Sequence, residues 1–350
     1  MKKYLVLLVG IAIGSVELFA QKPVDSTLVV VAGQDAQIAY NEGTELFKQK
    51  DFEGAIHKFT VALGFDANFA KAYLNRGSAQ MEMKHYQLAI EDLDKAISLS
   101  PDLGEPYYIK GRVHQYQNQN EEALASFLNA ETKGYVEANL FYFIGVLQFQ
   151  KEQYDESISY FTKTIEKDGK HAFAYNDRGS AKRKKEDWAG AIQDYERATM
   201  IDPQLALAYD NLCIAKSKKE DYQGAISAAN MAIKVKPDFH LAYNNRGSVY
   251  YQMGEYAKAI EDFNKSIMLK EDYAFAYNNL GNAKHKTKDY KGSVEAYDVA
   301  IKLDPNYGIA YMNRAASKEM LRDEKGACAD WQKAVDLGVE QAKNYTGGCH

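Results

Sequence analysis

The sequence predicts an all-α fold, a solenoid of nine helix-turn-helix units in tandem, and three observations carry that expectation. From residue 36 the chain repeats every 34 residues without insertion, so that units begin at residues 36, 70, 104, 138, 172, 206, 240, 274 and 308. The eighth position of each unit holds Gly43, Gly77, Gly111, Gly145, Gly179, Cys213, Gly247, Gly281 or Ala315, never a side chain larger than Cys. Four units carry proline at position thirty-two, Pro101, Pro203, Pro237 and Pro305, where a helix must stop. A period of this length marks units that cannot bury their apolar faces alone and so stack on one another.

The chain opens on Lys2 and Lys3, a short apolar run over residues 4–16, and Ala20 ahead of Gln21. This order reads as a secretory leader over residues 1–20, removed after Ala20, with 21–35 as a linker. A thirteen-residue run falls short of the roughly 20 that cross a bilayer, so the mature chain is expected to be exported, periplasmic or secreted, and not membrane-spanning; a retained anchor is the alternative. Apolar residues make up 46% and charged residues 26%, the balance of an ordinary folded protein. The net charge of −5 becomes −6 once the leader goes, with 41 basic against 47 acidic residues. That balance argues against nucleic acid, whose non-specific binding relies on a basic excess.

Each unit then shows two helical stripes. In the first helix, position four is aromatic in eight of nine units (Tyr73, Tyr107, Phe141, Tyr175, Tyr209, Tyr243, Tyr277, Tyr311), one turn before the small residue. In the second helix, small residues at positions twenty and twenty-seven, such as Ala55 and Ala62 or Ala191 and Ala198, flank a large one: Phe59, Leu93, Phe127, Phe161, Tyr195, Phe263, Tyr297 or Trp331. Large side chains on one helix facing small ones on its neighbour is the pattern of interdigitating helices. Lysines 182, 184, 185, 216, 218, 219, 284, 286 and 288 gather near first-helix ends, followed by Glu186, Asp187, Glu220, Asp221 and Asp289. Helix dipoles account for both groups, and a polyanion-binding stripe is the alternative.

This pattern resembles the tetratricopeptide repeat family over residues 36–341, with 342–350 as a C-terminal cap segment. Departures are local: Asn120 and Glu324 replace the usual aromatic at position seventeen, and Ala39 and Ala229 shorten two core slots, which suggests looser packing there. The resemblance implies a right-handed superhelix whose first helices line a concave groove through positions two, five, six, nine, twelve and thirteen. Position six reads Asn41, Asn75, Ile109, Phe143, Asp177, Asn211, Asn245, Asn279 and Asn313. Such an Asn ladder is similar to those of relatives that hold an extended peptide, each amide both donating and accepting; the alternative is that Asn is the family's ordinary residue at that slot. The family's clamp for a C-terminal carboxylate pair is not expected, because position five has no Lys, position six no Arg, and Lys71 alone matches at position two.

The ladder breaks at Ile109 and Phe143, where Tyr108, Tyr116, Tyr142, Val146, Phe149 and Phe173 concentrate apolar groove positions in repeats three and four. A contiguous apolar patch with aromatic anchors is expected to be the most selective part of the groove. Core packing of these rings, or cover by the N-terminal segment TLVVVAG, are the alternatives. No catalytic constellation, zinc spacing among the seven His residues, or phosphate-cradling Gly-Lys loop occurs. No enzyme, cofactor or metal is therefore expected. Export permits oxidation, and a short capping helix after Gly338 would bring Cys349 back beside Cys328; the ending ACADWQKAVDLGVEQAKNYTGGC also resembles those of exported repeat proteins with two such Cys. Two unpaired thiols are the alternative. Cys213, in a Gly slot, is expected to be a buried free thiol. The function expected is an exported scaffold holding a peptide or partner protein in its groove, the alternative being an envelope structural or assembly factor that binds glycan or lipid.

Overall fold

The computed structural model describes residues 33–349; the leader and cleavage point expected in residues 1–20, and most of the linker, lie outside the described residues. The chain forms two compact units, the first ending at Val136 and the second beginning at Glu137. In the first, three hairpins follow one another: α1 (Gln34–Lys48) with α2 (Phe52–Phe65), α3 (Ala70–Glu82) with α4 (Tyr86–Leu99), and α5 (Glu105–Tyr116) with α6 (Asn120–Thr132). The second holds six: α7 (Ala138–Gln150) with α8 (Tyr154–Lys167), α9 (Ala172–Lys184) with α10 (Trp188–Ile201), α11 (Ala206–Lys218) with α12 (Tyr222–Val235), α13 (His240–Gln252) with α14 (Tyr256–Leu269), α15 (Ala274–Lys286) with α16 (Tyr290–Leu303), and α17 (Gly308–Met320) with α18 (Glu324–Asp336). Within each unit every helix packs on the next, and first helices of successive repeats also touch, as α9 with α11 and α11 with α13.

The small residue at position eight is required by the ring opposite it. A Cβ on Gly111 would lie 2.5 Å from Phe127, and one on Gly281 would lie 2.5 Å from Tyr297. The large residue at position twenty-four is correspondingly sealed: Phe59, Leu93, Phe127, Phe161, Tyr195, Phe263 and Tyr297 are at most 1% exposed. Repeat six inverts the sizes, with Cys213 at position eight and Ala229 at position twenty-four, both at 0% exposure. The looser packing expected at Ala229 is thus offset by the thiol, which burial holds well above its ordinary pKa and so protonated.

A second pairing, between positions seven and twenty-three, was not anticipated. Arg76, Arg178, Arg246 and Arg314 each form two parallel bonds to Asp92, Asp194, Asp262 and Asp330, at 2.5–2.9 Å. A third guanidinium nitrogen reaches back to the preceding repeat, donating to Thr60, Thr162, Asn230 and Asp298 at 2.6–3.0 Å. Each Arg also lies over the Tyr three residues before it, 5.3–5.6 Å from the ring centre. Repeats six and eight fill the same two positions with Leu212 and Ala228, and Leu280 and Ala296, all buried. In these six repeats the slot is either a fully bonded ion pair or a fully apolar contact, the two ways to bury it without an orphaned charge; repeat one instead pairs Glu42 with Lys58 at the surface, and repeats three and four carry Lys110 with Ser126 and Ile144 with Tyr160.

The helix-to-helix turn places position fifteen in the left-handed region in all nine repeats: Lys50, Lys84, Asn118, Glu152, Glu186, Glu220, Gly254, Lys288 and Arg322 have φ between 58° and 79°. Only repeat seven supplies glycine, so eight repeats hold a Cβ where it meets the following carbonyl. Glu220→Gly is expected to stabilise the fold by about 1 kcal/mol, the cost of left-handed backbone in an L-residue, read as an upward shift of the urea midpoint. Next in the chain, Asp51, Asp187, Asp221, Asp289 and Asp323 cap the second helices through the nitrogen of a glycine three residues on, at 2.9–3.0 Å. Of the acids assigned to helix dipoles, then, Glu186 and Glu220 instead make the turn, and the aspartates are true caps.

Repeats three and nine end alike and unlike the others. Gly134 and Gly338 take φ of 81° and 84°, the next residues bond back to Ala130 and Ala334, and Tyr135 and Val339 fill the space over Gly104 and Gly308. This is a glycine-terminated helix end with its hydrophobic contact. After repeat nine a 3-10 turn (Glu340–Ala342) leads into α19 (Lys343–Thr346). Tyr345 stacks on Trp331 at 5.3 Å, and Cys349 is disulfide-bonded to Cys328 with a Cα–Cα distance of 5.5 Å, as the return of the chain had suggested.

Candidate functional site

The face of the first helices that carries positions five and six is the candidate site, and in the second unit those positions form a hydrogen-bonded ribbon. Each position-six amide nitrogen donates to position five of the preceding repeat: Asn211 to Asn176, Asn245 to Asp210, Asn279 to Asn244 and Asn313 to Asn278, at 2.8–3.0 Å. Neighbours within a repeat extend the chain, Asn176 donating to Asp177 at 2.9 Å, Asn244 to Asn245 at 3.4 Å and Asn278 to Asn279 at 3.5 Å. Tyr142 donates to Asp177 at 2.8 Å. The donors thus run toward two carboxylates, Asp177 and Asp210, each 3% exposed. In the first unit Asn75 makes the equivalent bond to the Tyr40 hydroxyl at 2.9 Å.

The Asn ladder is therefore present, and in Asn75, Asn211, Asn245, Asn279 and Asn313 one of the two amide N–H groups bonds to the preceding repeat. Each of these amides has a second N–H and a second carbonyl lone pair, so it can still both donate to and accept from a peptide backbone.

Burial pushes the Asp177 and Asp210 carboxyls from 3.8 up to about 6. Bonds from Tyr142 and Asn176 to the first, and Asn245 together with the charge of Arg183 near the second, pull the other way without cancelling it. The Tyr142 phenol is raised well above its usual value, first by burial and then by the Asp177 charge. Since the folded carboxyls bind protons more tightly than the unfolded chain, the stability linked to them is fully present below about pH 4 and lost as pH rises through about 6. Asp210→Asn places at position five the residue that repeats five, seven and eight carry. It is expected to stabilise the chain at pH 7.5 by about 2–3 kcal/mol, at 1.36 kcal/mol per pKa unit, with the difference fading toward pH 4. Urea unfolding of both chains at the two pH values measures it.

The apolar patch expected at repeats three and four does not hold for three of its members. Tyr108, Ile109 and Phe149 are 8%, 5% and 8% exposed. Tyr108 lies against Phe127 and Tyr135, ring centres 5.8 and 4.7 Å away, and Phe149 meets Tyr154 edge-on at 5.4 Å. Long flat rings at positions five and twelve reach past the groove face into the interhelical core. Tyr116 is exposed, stacked on Tyr86 at 6.0 Å under Arg112. In the second unit, Tyr142 packs between Phe161 and His171, while Phe143, Val146 and Phe173 stay half-buried.

A concavity of about 230 Å³ opens on this face in repeats seven and eight, lined by Ser248, Tyr251, Gln252, Asn279 and Asn282 above Phe263. These are positions six, nine, twelve and thirteen, so the four share one surface. Among the described residues no cluster of three or more His, Cys, Asp or Glu is arranged to hold a metal, and no helix is long and apolar enough to cross a membrane.

Family models for the tetratricopeptide repeat match residues 70–103, 108–172, 144–206 and 274–307, and a TPR repeat model matches 247–288. No curated protein matches the chain in sequence. Among solved structures, YrrB, described as a TPR protein with an unusual peptide-binding site, is 25% identical with a TM-score of 0.50, over 53% of this chain and 95% of that one. The Cut9–Hcn1 hetero-tetramer of the APC/C (14% identical, TM-score 0.58, 89% of this chain and 76% of that one) and Pseudomonas aeruginosa PilF (17%, 0.53, 60% and 96%) share the fold. The family models together cover more than half of the chain, whose stacked hairpins repeat every 34 residues: the chain belongs to the tetratricopeptide repeat family.

Proposed function

We propose that the protein is a non-enzymatic, exported scaffold that holds a peptide or partner protein on the groove face of its first helices. The observation that carries this reading is the division of labour on that face. The amide ribbon bonds the repeats to one another, while Lys184, Lys218, Gln252, Lys286 and Ile309 stay exposed along the same helices. Similarity to a peptide-binding relative supports it. The half-buried Phe143, Val146 and Phe173 belong to the same proposed surface. Export rests on the leader-like residues 1–20. The mature chain, begun at Gln21, would be immobilised and exposed to the envelope fraction of its host. Enrichment of discrete polypeptides, lost when the groove face is blocked, supports the scaffold. Retention solely on cell-wall glycan or lipid overturns it in favour of an envelope assembly factor.

A further inference from the structure

On a helix, positions two, six, nine and thirteen fall within about 60° of one another, so across stacked first helices they form four parallel lanes. In repeats five to nine the position-two lane is apolar throughout: Phe173, Leu207, Leu241, Phe275 and Ile309. The first four are half-buried and Ile309 is 48% exposed. The next lane is the amide ribbon, and the third is mainly small or polar, with Ser180, Ser248, Asn282 and Ala316. The position-thirteen lane carries Lys184, Lys218 and Lys286, all exposed, with Gln252 between them. Repeats one to three carry Gln37, Lys71 and Glu105 at position two, so the apolar lane belongs to the second unit.

The charge on this face runs against the rest of the chain. The protein carries a net charge of −5, yet the carboxylates among the ribbon residues, Asp177 and Asp210, are buried and hydrogen-bonded. Solvent therefore meets lysine there, until Glu319 at position twelve of repeat nine ends the run.

We infer that this face takes an extended segment of a partner polypeptide in which apolar side chains alternate with Asp or Glu. The inference rests on the groove reading above and names the chemistry of its ligand. An extended chain laid between lanes six and nine lies about 8 Å from lane two and about 8 Å from lane thirteen, at 1.5 Å of rise per residue. Its successive side chains point to opposite sides, one set onto the apolar lane and the other toward the lysines. Its backbone N–H and C=O groups face the ribbon's amides, each of which has two N–H groups and a carbonyl with two lone pairs. An anionic lipid would satisfy the two outer lanes but leave the polar lanes between them covered by hydrocarbon, which is costly. Four helix-to-helix steps of roughly 10 Å span about twelve extended residues at ~3.3 Å each.

The test uses the whole mature chain and three fluorescein-labelled peptides of about twelve residues, with Leu alternating with Glu, Leu with Lys, or Ser with Glu, and vesicles of phosphatidylglycerol as a fourth probe. Anisotropy is expected to rank the Leu/Glu peptide roughly tenfold or more above the other two. The triple variant K184E/K218E/K286E, whose side chains are exposed, is expected to keep its helicity and reverse the preference toward Leu/Lys. Leu241→Gln is expected to weaken both Leu peptides. If all three peptides bind alike and compete for one site, the alternating acidic chemistry is wrong while the groove reading stands. Binding of vesicles alone, or of none of the probes, overturns both.

Discussion

Replacing Asp262 with Ala is expected to destabilise the second unit by about 3 kcal/mol, because one partner of a largely buried ion pair would be left uncompensated. The Arg246 and Asp262 side chains are 21% and 6% exposed, and the guanidinium would keep only its bond to Asn230 at 2.6 Å. The double variant Arg246→Leu with Asp262→Ala reproduces the Leu–Ala filling of repeats six and eight and is expected to recover most of the loss. Urea unfolding of the parent, the single and the double variant measures this. Equal losses in single and double variants would mean that the slot does not choose between bonded charge and apolar contact.

Gly179→Leu is expected to cost about 3 kcal/mol or more, at the upper end for overpacking. A Cβ there would stand 2.9 Å from Tyr195 and 3.2 Å from the carbonyl oxygen of Ala191, and the backbone oxygen cannot turn aside. Tyr195 has no room to yield either, being fully buried and bonded through its hydroxyl to Ser180 at 3.2 Å. Because each repeat rests mainly on its neighbours, hydrogen exchange should accelerate most in repeats four to six and least in repeat nine. A uniform rise along the second unit would contradict nearest-neighbour stacking.

Helix pairing, the small slot at position eight and the return of Cys349 to Cys328 were legible in the sequence because each depends on spacing along one chain. Depth was not. Periodicity assigns Tyr108 and Phe149 to a face, but the reach of a ring decides whether that face is groove or core, and both rings reach Phe or Tyr neighbours behind it. The left-handed turn at position fifteen left no trace either, since its residues are Lys, Asn, Glu and Arg everywhere except Gly254. The Arg–Asp pairing did leave one, in the alternation of Arg178, Leu212, Arg246, Leu280 and Arg314 at position seven with Asp or Ala sixteen residues later. It joins the two helices of one repeat and shows only when the two positions are compared together. Nor were the lysines set merely by helix dipoles: Lys182 and Lys216 bind Asp194 and Glu196 at 2.8 Å, whereas Lys184, Lys218 and Lys286 stay exposed to solvent.

The claim that function resides on the first-helix face is tested most directly by site-specific photocrosslinking in the native host. A photoreactive residue would be placed at Lys218 or Gln252 on the groove face, and at Met200 or Met268, which are 71% and 65% exposed on second helices. Crosslinked polypeptide from the first pair and none from the second is the predicted result. Crosslinking from Met200 and Met268 with none from Lys218 and Gln252 would contradict it.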